Sequence, residues 1–352
     1  MRQHNLAYLI EPRFPGGTSS ALAAELAVTA GTGRVSIHPA ETSMFDGRSI
    51  APQLVRTLNV LGLECTECAR TIGADIVVIH NPAFLKFEKL LSTHIVARHV
   101  IAVTHENFLR PGGEEGFDVA HCLSLIDRST LSLRKSVAPI SPNNRATVEE
   151  WAARHGLPSG WDILPEDWIN ICDFDMAPPT DRPRDRRGRH SRPGPEKFPK
   201  PATLDLIFPS HAEANVILGA DMLIAGQETH PHWTLHPFRG LDVARFFEMI
   251  DFMVYFTAPG WRESFGRVLA EGIAAGKVVI SDRETAAGFD GAVIGAEPEE
   301  VDGIIRLFIA EPERYISHVR SAQTVLSRFS PEAFRDRFLR LTGLGAPTGA
   351  AA

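Results

Sequence analysis

The stretch from residue 252 to residue 280, FMVYFTAPGWRESFGRVLAEGIAAGKVVI, constrains the fold of this chain more than any other segment. Its hydrophobic start predicts a strand at Phe252–Phe256. A Pro/Gly turn follows, and a helix is expected from around Ser264 to Ala275, before a second buried strand. A helix that begins directly after a strand presents unpaired backbone N–H groups and the positive end of its dipole. The segment therefore predicts a helix N-terminus that binds an anion such as pyrophosphate.

The same alternation of apolar strands and helices runs through most of the chain. It predicts parallel sheets covered by helices, the α/β fold class. Because 352 residues exceed what one hydrophobic core usually holds, two domains are expected. The stretch from Pro178 to Pro201 is dense in Pro and Arg, which predicts a linker between the two domains. Further strands are predicted at Leu6–Ile10, Arg34–Ile37, Asp75–Ile79, Val100–Val103, Val137–Ile140, Val216–Leu218, Met222–Ile224 and Val278–Ser281. Further helices are predicted at Ser19–Val28, Thr147–Arg154, Val243–Met249 and Pro331–Leu341.

Composition restricts the class of protein. The formal net charge of -7 argues against general nucleic-acid binding, which requires an excess of Lys and Arg. From the stretch Met1–Glu11, which lacks a basic start followed by a long apolar run, we expect no signal peptide. We also expect no spanning helix, since no apolar run approaches the roughly 20 residues that one needs. Four cysteines in a chain of this length fit a reducing compartment. The predicted location is the cytoplasm, with peripheral association at the inner face of the membrane left open.

Two carboxylates frame the predicted helix start. Glu263 precedes the helix and Glu271 follows eight residues later, roughly 12 Å away along a continuous helix axis. A pyrophosphate bound to the amides of Ser264, Phe265 and Gly266 would lie between them, and Gly266 lets a ligand approach the backbone. Carboxylate oxygens accept strong hydrogen bonds from hydroxyl groups. Taken alone, the pair also fits a dipole partner and a solvated helix residue.

The segment ESFGRVLAEGIAAGKVVI, residues 263–280, resembles the donor-binding E-x7-E segment of retaining GT-B glycosyltransferases, particularly family 4. The resemblance implies a fold of two Rossmann-like domains that face each other across a cleft. It also implies sugar binding at Glu263, phosphate binding at the Ser264–Gly266 amides and ribose binding at Glu271. The implied domains are residues 1–177 for the acceptor and 178–330 for the nucleotide-sugar donor, with a C-terminal helix and tail at 331–352 that crosses back to the first domain.

A basic segment, Arg186 to Pro199, supplies candidate phosphate ligands. In the glycosyltransferases that this chain resembles, a Gly-Arg pair at a strand end and a later Lys neutralise the diphosphate leaving group. The resemblance implies this role for Arg189, Arg192 and Lys197. Positioned cations stabilise the negative charge that develops on a leaving group. The segment departs from the family pattern because charged residues, not an apolar strand, precede Gly-Arg. A solvated basic linker is the alternative.

Two parts of the N-terminal half are candidates for the substrate cleft. Gly16 and Gly17 follow the first predicted strand, and the resemblance places such a Gly-Gly loop near the donor phosphate and the acceptor. His80 and His105 each end a predicted strand. We expect His105 to be the catalytic histidine near the donor sugar and the acceptor hydroxyl, although a structural role for either histidine fits the sequence almost as well.

Two further segments bear on the donor. The fold places His236, Pro237 and Phe238 near the nucleobase. Asp173 and Asp175 form a D-x-D triplet, which is the manganese signature of the single-domain GT-A transferases. The triplet lies near the predicted linker and not at a strand end, so we predict neither a metal site nor a cofactor.

The predicted function is transfer of a sugar, with retention and without metal, from a nucleotide-diphosphate sugar to an acceptor hydroxyl of a glycan, a lipid-linked or a protein-linked acceptor. Glu263 and His105 are the predicted catalytic residues. In such transfer the leaving diphosphate helps to deprotonate the incoming hydroxyl. A GT-B-fold nucleotide-sugar epimerase and a non-catalytic nucleotide-sugar binder remain as alternatives.

Overall fold

The computed structural model describes residues 4–14, 16–40, 42–65, 69–227 and 230–344. The chain forms two compact units. The first comprises Met1–Asp173 together with Phe329–Ala352, and the second comprises Phe174–Arg328. The assignment of acceptor binding to one unit and of donor binding to the other stays a prediction.

The first unit is built on a six-stranded sheet in which every pair of neighbours is parallel. The strand order is β2-β1-β3-β4-β5-β6, so the chain reverses direction across the sheet between β1 and β3. Ligands of open α/β sheets bind at such a reversal, beyond the carboxyl ends of the strands. The elements in chain order are β1 (Asn5–Ile10), α1 (Gly17–Thr29), β2 (Arg34–Pro39), α2 (Pro52–Leu61), β3 (Thr71–His80), β4 (His94–Thr104), α3 (Val119–Arg128), β5 (Thr130–Pro139), α4 (Pro142–His155) and β6 (Trp161–Ile163).

The second unit repeats this architecture with a second six-stranded parallel sheet. Its order, β12-β11-β10-β7-β8-β9, reverses between β7 and β10. The loops that follow these two strands therefore meet at the position where the fold favours ligand binding. The elements are β7 (Arg186–His190), α5 (Pro201–Ile207), β8 (Ala214–Leu218), α6 (Asp221–Ala225), β9 (Thr234–His236), α7 (Val243–Glu248), β10 (Phe252–Tyr255), α8 (Arg267–Ala274), β11 (Val278–Ser281), α9 (Arg283–Ala287), β12 (Ile294–Gly295), α10 (Val301–Ala310) and α11 (Pro312–Leu326).

The prediction of a strand at Met222–Ile224 is wrong, because these residues lie within the helix α6. A short apolar run fits a buried strand and a buried helical turn equally well.

The prediction of a linker across Pro178–Pro201 is also wrong, because β7 lies inside that stretch and pairs with both β8 and β10. Its two arginines at alternate positions, Arg187 and Arg189, are fully buried. Arg187 is neutralised by Asp185, at 2.6 Å, and by Asp302, also at 2.6 Å. Buried arginines in a strand need such counter-charges, and Asp302, 115 residues away in sequence, supplies one of them.

The last helix, α12 (Pro331–Thr342), belongs to the first unit. Phe334 and Phe338 are buried and lie edge-on against Trp168, at centroid distances of 5.7 and 5.6 Å. Arg340 also pairs with Glu166 at 2.9 Å. Among the described helices, none combines the length and the apolarity needed to cross a membrane.

Candidate functional site

The candidate site of the second unit lies where the strand order reverses, at the carboxyl ends of β7 and β10. The loop after β7 carries Lys197, and the loop after β10 carries Glu263. Lys197 Nζ donates to Glu263 Oε1 at 2.6 Å. The two side chains are 10% and 11% exposed, so the pair is almost removed from water. Two residues 66 positions apart, each predicted singly from the sequence, therefore form one buried ion pair.

Aromatic side chains complete the surroundings of this pair. The Tyr255 hydroxyl, at the end of β10, donates to Glu263 Oε1 at 2.8 Å. The ring of Trp261 lies 4.9 Å from Lys197 Nζ, which is a cation–π distance. Sequence reasoning missed Tyr255 and Trp261, because an aromatic residue at the end of a buried strand, or in a turn, is usually part of the packing.

Burial and pairing act in opposite directions on the two charged groups. Burial would raise the pKa of Glu263, but the Lys197 ammonium and the hydrogen bonds that Glu263 accepts hold it below its ordinary value. Burial lowers the pKa of Lys197, and the Glu263 carboxylate partly offsets this. The pair is therefore ionised at neutral pH, and each charge depends on the other for its compensation.

Arg189 lies directly behind the ion pair. Its Nη1 donates to the carbonyl of Phe256 at 3.1 Å, and its Nη2 donates to the carbonyl of Lys197. The guanidinium stacks on the ring of Phe198 at 4.2 Å. Burial lowers the pKa of Arg189 to about 10, so it stays protonated at neutral pH. Arg189 thus connects the loop after β7 with the loop after β10, and its guanidinium adds positive charge next to the ion pair.

The third predicted cation, Arg192, is in a different environment. Its side chain is 53% exposed and pairs with Glu196 at 2.8 Å. Of the three candidate phosphate ligands, Lys197 and Arg189 are thus buried together, while Arg192 lies at the surface. Its predicted contact with a phosphate stays a prediction.

Glu271, on α8, forms a second cluster with the end of β7. Its Oε2 lies 3.3 Å from His190 Nε2, and its Oε1 accepts a hydrogen bond of 3.2 Å from Arg267 Nε. Burial raises the pKa of Glu271, while Arg267 opposes this effect. Burial and the neighbouring Arg189 lower the pKa of His190 to about 4, so this histidine is neutral at physiological pH. Both E-x7-E carboxylates are thereby held beside the loop that follows β7.

The helix of this motif begins later than the sequence predicts. α8 starts at Arg267 rather than around Ser264, and Gly266 is its N-cap with φ of 82°. Glu263, Ser264 and Phe265 therefore belong to the preceding loop. The expected spacing of the two glutamates along one continuous helix is wrong for this reason. Gly266 provides the left-handed turn that directs the chain into the helix.

Replacing Gly266 by Ala is expected to lower the free energy of unfolding by about 1–2 kcal/mol, because residues with a Cβ disfavour the left-handed region. The added Cβ would also lie 3.0 Å from Leu269 Cδ1. Gly303→Ala is the matched control, since a Cβ there, inside α10, meets no atom within 4 Å. The control should raise stability by about 0.5–1 kcal/mol. Urea denaturation measures both, and equal stabilities of the two variants would contradict the assigned role of Gly266.

The predicted nucleobase residues follow β9, which ends at His236. The carbonyl of His236 accepts hydrogen bonds of 2.9 Å from the backbone N–H groups of both Gly219 and Ala220. Phe238 N donates to Asp221 Oδ2 at 2.7 Å, and the Phe238 ring is 43% exposed. Pro237 lies between them. The structure thus places these residues beside the carboxyl end of β8, while their contact with a base stays a prediction.

In the first unit, Gly16 lies between β1 and α1, and Gly17 is the first residue of α1. Gly16 is the N-cap of α1, and a Cβ on it would lie 2.4 Å from the Phe14 ring. Near this loop Glu11 is buried and binds Arg13 through paired contacts of 2.8 Å. The role of the two glycines in donor binding stays a prediction.

His105 lies just beyond β4, next to His80 at the end of β3. The distance from His80 Nδ1 to His105 Nε2 is 2.9 Å. His80 Nε2 in turn lies 3.3 Å from the carboxylate of Glu25 on α1. The sequence predicts the two histidines as candidates but gives no indication of Glu25, because a single Glu in an amphipathic helix is usually solvated. Here Glu25 is only 3% exposed.

Two sets of acidic side chains have the composition of metal ligands but differ in their surroundings. Asp173 and Asp175 of the D-x-D triplet are exposed and belong to a stretch without helix or strand. Asp185, His211 and Asp302 lie within 4.8 Å of one another. The guanidinium of Arg187 contacts both aspartates of that second group and already supplies a positive charge.

Three solved structures illustrate what this chain is similar to. HepE of Anabaena, in complex with UDP and glucose, aligns with a TM-score of 0.65 and 15% identity over 96% of this chain and 98% of that one. A trehalose-6-phosphate synthase, studied for glycosyl transfer with retention, aligns at 0.55 and 10% over 97% and 99%. An alpha-glucosyltransferase in complex with UDP and DNA aligns at 0.53 and 11% over 97% and 100%.

These likenesses confirm the predicted GT-B fold, since they extend over nearly all of each chain. At such low identities they establish the fold alone. No protein-family model matches the chain, and no curated protein matches its sequence.

Proposed function

We propose that this chain is a glycosyltransferase that uses a nucleotide-diphosphate sugar as its donor. The observation that carries the proposal is the buried Lys197–Glu263 pair, which lies where the strand order of the second unit reverses and just before α8. A cation next to a carboxylate suits a donor that carries phosphates beside sugar hydroxyls. The fold is shared with proteins crystallised with UDP and UDP-glucose, which supports this choice of donor.

In the proposed complex, the diphosphate lies against Lys197 and the N-terminal end of α8. An ammonium group has three donors, so Lys197 can keep Glu263 and still bind a phosphate oxygen. Glu263 then holds hydroxyl groups of the sugar, and Glu271 holds the ribose diol. Each glutamate is oriented by another side chain, Tyr255 for Glu263 and Arg267 for Glu271.

The proposed reaction proceeds with retention and without metal. The bond between the anomeric carbon and the diphosphate oxygen breaks, a bond to the acceptor oxygen forms, and the acceptor proton passes to a phosphate oxygen. The negative charge that develops on the diphosphate is stabilised by Lys197 and the α8 dipole, with Arg189 adding positive charge beneath them. Closure around the donor would limit its hydrolysis.

The proposed acceptor is a hydroxyl group of a glycan or of a lipid- or protein-linked acceptor, and the proposed location is the cytoplasm. The described cysteines Cys65, Cys122 and Cys172 are all free thiols, which supports a reducing compartment. Peripheral association with a membrane remains part of the proposal. His105 is the proposed catalytic histidine near the acceptor.

The first test is a thermal-shift panel of UDP, GDP, ADP, CMP and dTDP and their sugars, with and without EDTA. A ligand that binds only the native state stabilises it by about 2.7 kcal/mol at 100 times its Kd. We expect stabilisation by one nucleotide class that survives EDTA. Stabilisation that requires manganese would contradict metal independence, and no stabilisation by any nucleotide would reject the donor site.

A second measurement separates transfer from binding. Purified protein, the stabilising nucleotide sugar and a mixture of hydroxyl acceptors are incubated, and the released nucleoside diphosphate is measured. Release that depends on acceptor supports the transferase. Binding without release in any mixture would favour the non-catalytic binder, and conversion of the sugar without acceptor would favour the epimerase.

A further inference from the structure

A chain of buried polar groups runs through the first unit from α1 to the end of β4. It begins at the carboxylate of Glu25, continues through the imidazole of His80 and ends at His105. The Glu25 and His80 side chains are 3% and 1% exposed, whereas His105 is half-buried. Three groups that can each exchange a proton are thus aligned, with only the last of them near the surface.

The Glu25 carboxylate is held firmly in place. Tyr8 Oη donates to its Oε1 at 2.9 Å, and Trp168 Nε1 donates to its Oε2 at 2.8 Å. Both donors are themselves buried. A carboxylate held by two neutral donors in an apolar interior accepts hydrogen bonds and donates none. Any partner that faces it must therefore present a hydrogen atom.

The need for a donor facing Glu25 also determines the direction of the next hydrogen bonds, at His80 and at His105. His80 Nε2 lies 3.3 Å from Glu25 Oε2, a contact that is not yet an aligned hydrogen bond, as is common in catalytic sites without substrate. Because it faces a carboxylate, His80 Nε2 carries a proton, and when the ring carries this proton alone its Nδ1 accepts. His105 Nε2 lies 2.9 Å from that Nδ1 and then donates. His105 Nδ1 is left as an acceptor.

The surroundings of His105 leave its Nδ1 available to accept a hydrogen bond from a bound molecule. Burial and the adjacent His80 ring lower the pKa of His105 well below its ordinary value, so its ring is neutral at physiological pH. Within the described part of the chain, no group hydrogen-bonds its Nδ1. A small pocket is lined by its neighbours His80, Asn81 and Glu106, and the amide oxygen of the buried Asn81 has no hydrogen-bond partner within the described structure.

We propose that Glu25 and His80 are positioning residues that hold His105 as the Nε2–H tautomer, so that its Nδ1 accepts a hydrogen bond from a substrate hydroxyl. The inference rests on the proposed transfer to a hydroxyl group. It extends that function by assigning a fixed direction to the hydrogen bond of His105. Residues that fix a histidine tautomer behind a reacting group are common in enzyme sites.

Nuclear magnetic resonance tests the tautomer without any activity assay. In protein labelled with ¹⁵N-histidine, long-range ¹H–¹⁵N correlations distinguish protonated from unprotonated ring nitrogens, and His105→Gln identifies the signals. We expect His105 to show protonated Nε2 and unprotonated Nδ1. Finding the proton on Nδ1 in the unmodified protein would overturn the inference whether or not the protein proves to be a transferase.

The variant Glu25→Gln tests the cause. Its amide can donate to His80, so the tautomer of His105 should become mixed or reversed. In the transferase assay kcat should fall about 10- to 100-fold with KM for the donor unchanged. Thr29→Val is the control, because Thr29 contacts Tyr8 Oη at 2.9 Å yet leaves the carboxylate in place. An unchanged tautomer in folded Glu25→Gln would refute the role of Glu25. If Glu25→Gln does not fold, His80→Phe takes its place, because it removes the acceptor that faces His105 Nε2. The tautomer of His105 should then become mixed, and an unchanged tautomer would refute the role of His80.

Discussion

Lys197→Met is expected to lower the free energy of unfolding by about 3–5 kcal/mol, because it leaves the Glu263 carboxylate buried and uncompensated. The double variant Lys197→Met with Glu263→Gln should recover part of this loss, since the buried carboxylate is removed as well and the side-chain volumes are similar. The recovery is incomplete because the protonated Arg189 then lacks the nearby charge of Glu263. The contrast follows from burial, as the two side chains are only 10% and 11% exposed. Chemical denaturation of both variants measures the difference.

The control for this experiment is Arg245→Met, which removes one partner of the exposed Arg245–Glu248 pair. Surface pairs contribute little, so its effect should stay within about 1 kcal/mol. Equal losses in Lys197→Met and Arg245→Met would show that the Lys197–Glu263 pair is not isolated from water. In the transferase assay, both the single and the double Lys197 variants should lose about 10²- to 10³-fold in kcat, because restored stability does not restore the cation.

Glu271→Ala is expected to weaken nucleotide binding by about 10- to 100-fold, equivalent to the loss of hydrogen bonds to one charged group. The fold should be retained, because the Glu271 side chain is 24% exposed and no other buried charge depends on it alone. Isothermal titration with the nucleotide identified by the thermal-shift panel gives the affinity directly. Loss of the ribose contact should affect nucleoside diphosphate and nucleotide sugar equally.

The matched control is Glu248→Ala, another glutamate in the second unit, which is exposed and forms its ion pair with Arg245. The affinity of this variant should equal that of the unmodified protein. If Glu271→Ala binds as tightly as Glu248→Ala, the ribose assignment of Glu271 is wrong, although the Lys197–Glu263 site would remain open to test. If the affinity falls for the nucleotide sugar but not for the nucleoside diphosphate, Glu271 contacts the sugar and not the ribose.

The strands and helices that the sequence predicts correctly share one property, namely that local patterning specifies them. Phe252–Phe256 is a continuous apolar run between turn residues, and the structure has β10 there. The strand β7 could not be predicted in this way, because Arg186, Arg187 and Arg189 have a polar pattern. Some of their partners lie far away in sequence: Asp302 is 115 residues from Arg187, and the carbonyl of Phe256 is 67 residues from Arg189.

In the candidate site, too, some residues can be predicted from the sequence and others cannot. Residue type and spacing predict Glu263, Glu271 and Lys197, and all three lie around the end of β7 or the start of α8. Their partners could not be predicted in this way. The contact of His190 with Glu271 depends on how the strands are ordered in the sheet, and that of Tyr255 with Glu263 depends on the conformation of the loop after β10. The role of Glu25 is not visible in the sequence either, since its partners come from β1, β3 and the segment after β6.

The pairing of Lys197 with Glu263 has a consequence for selectivity. The charge of Lys197 is already compensated by Glu263, so Lys197 itself exerts little long-range attraction on small anions such as inorganic phosphate, sulfate and chloride. In the proposed complex, recognition depends instead on several short-range contacts made together, to the diphosphate, the ribose and the sugar. Fragments of the proposed donor should accordingly compete poorly with the whole molecule, and inorganic phosphate should be a weak competitor of donor binding.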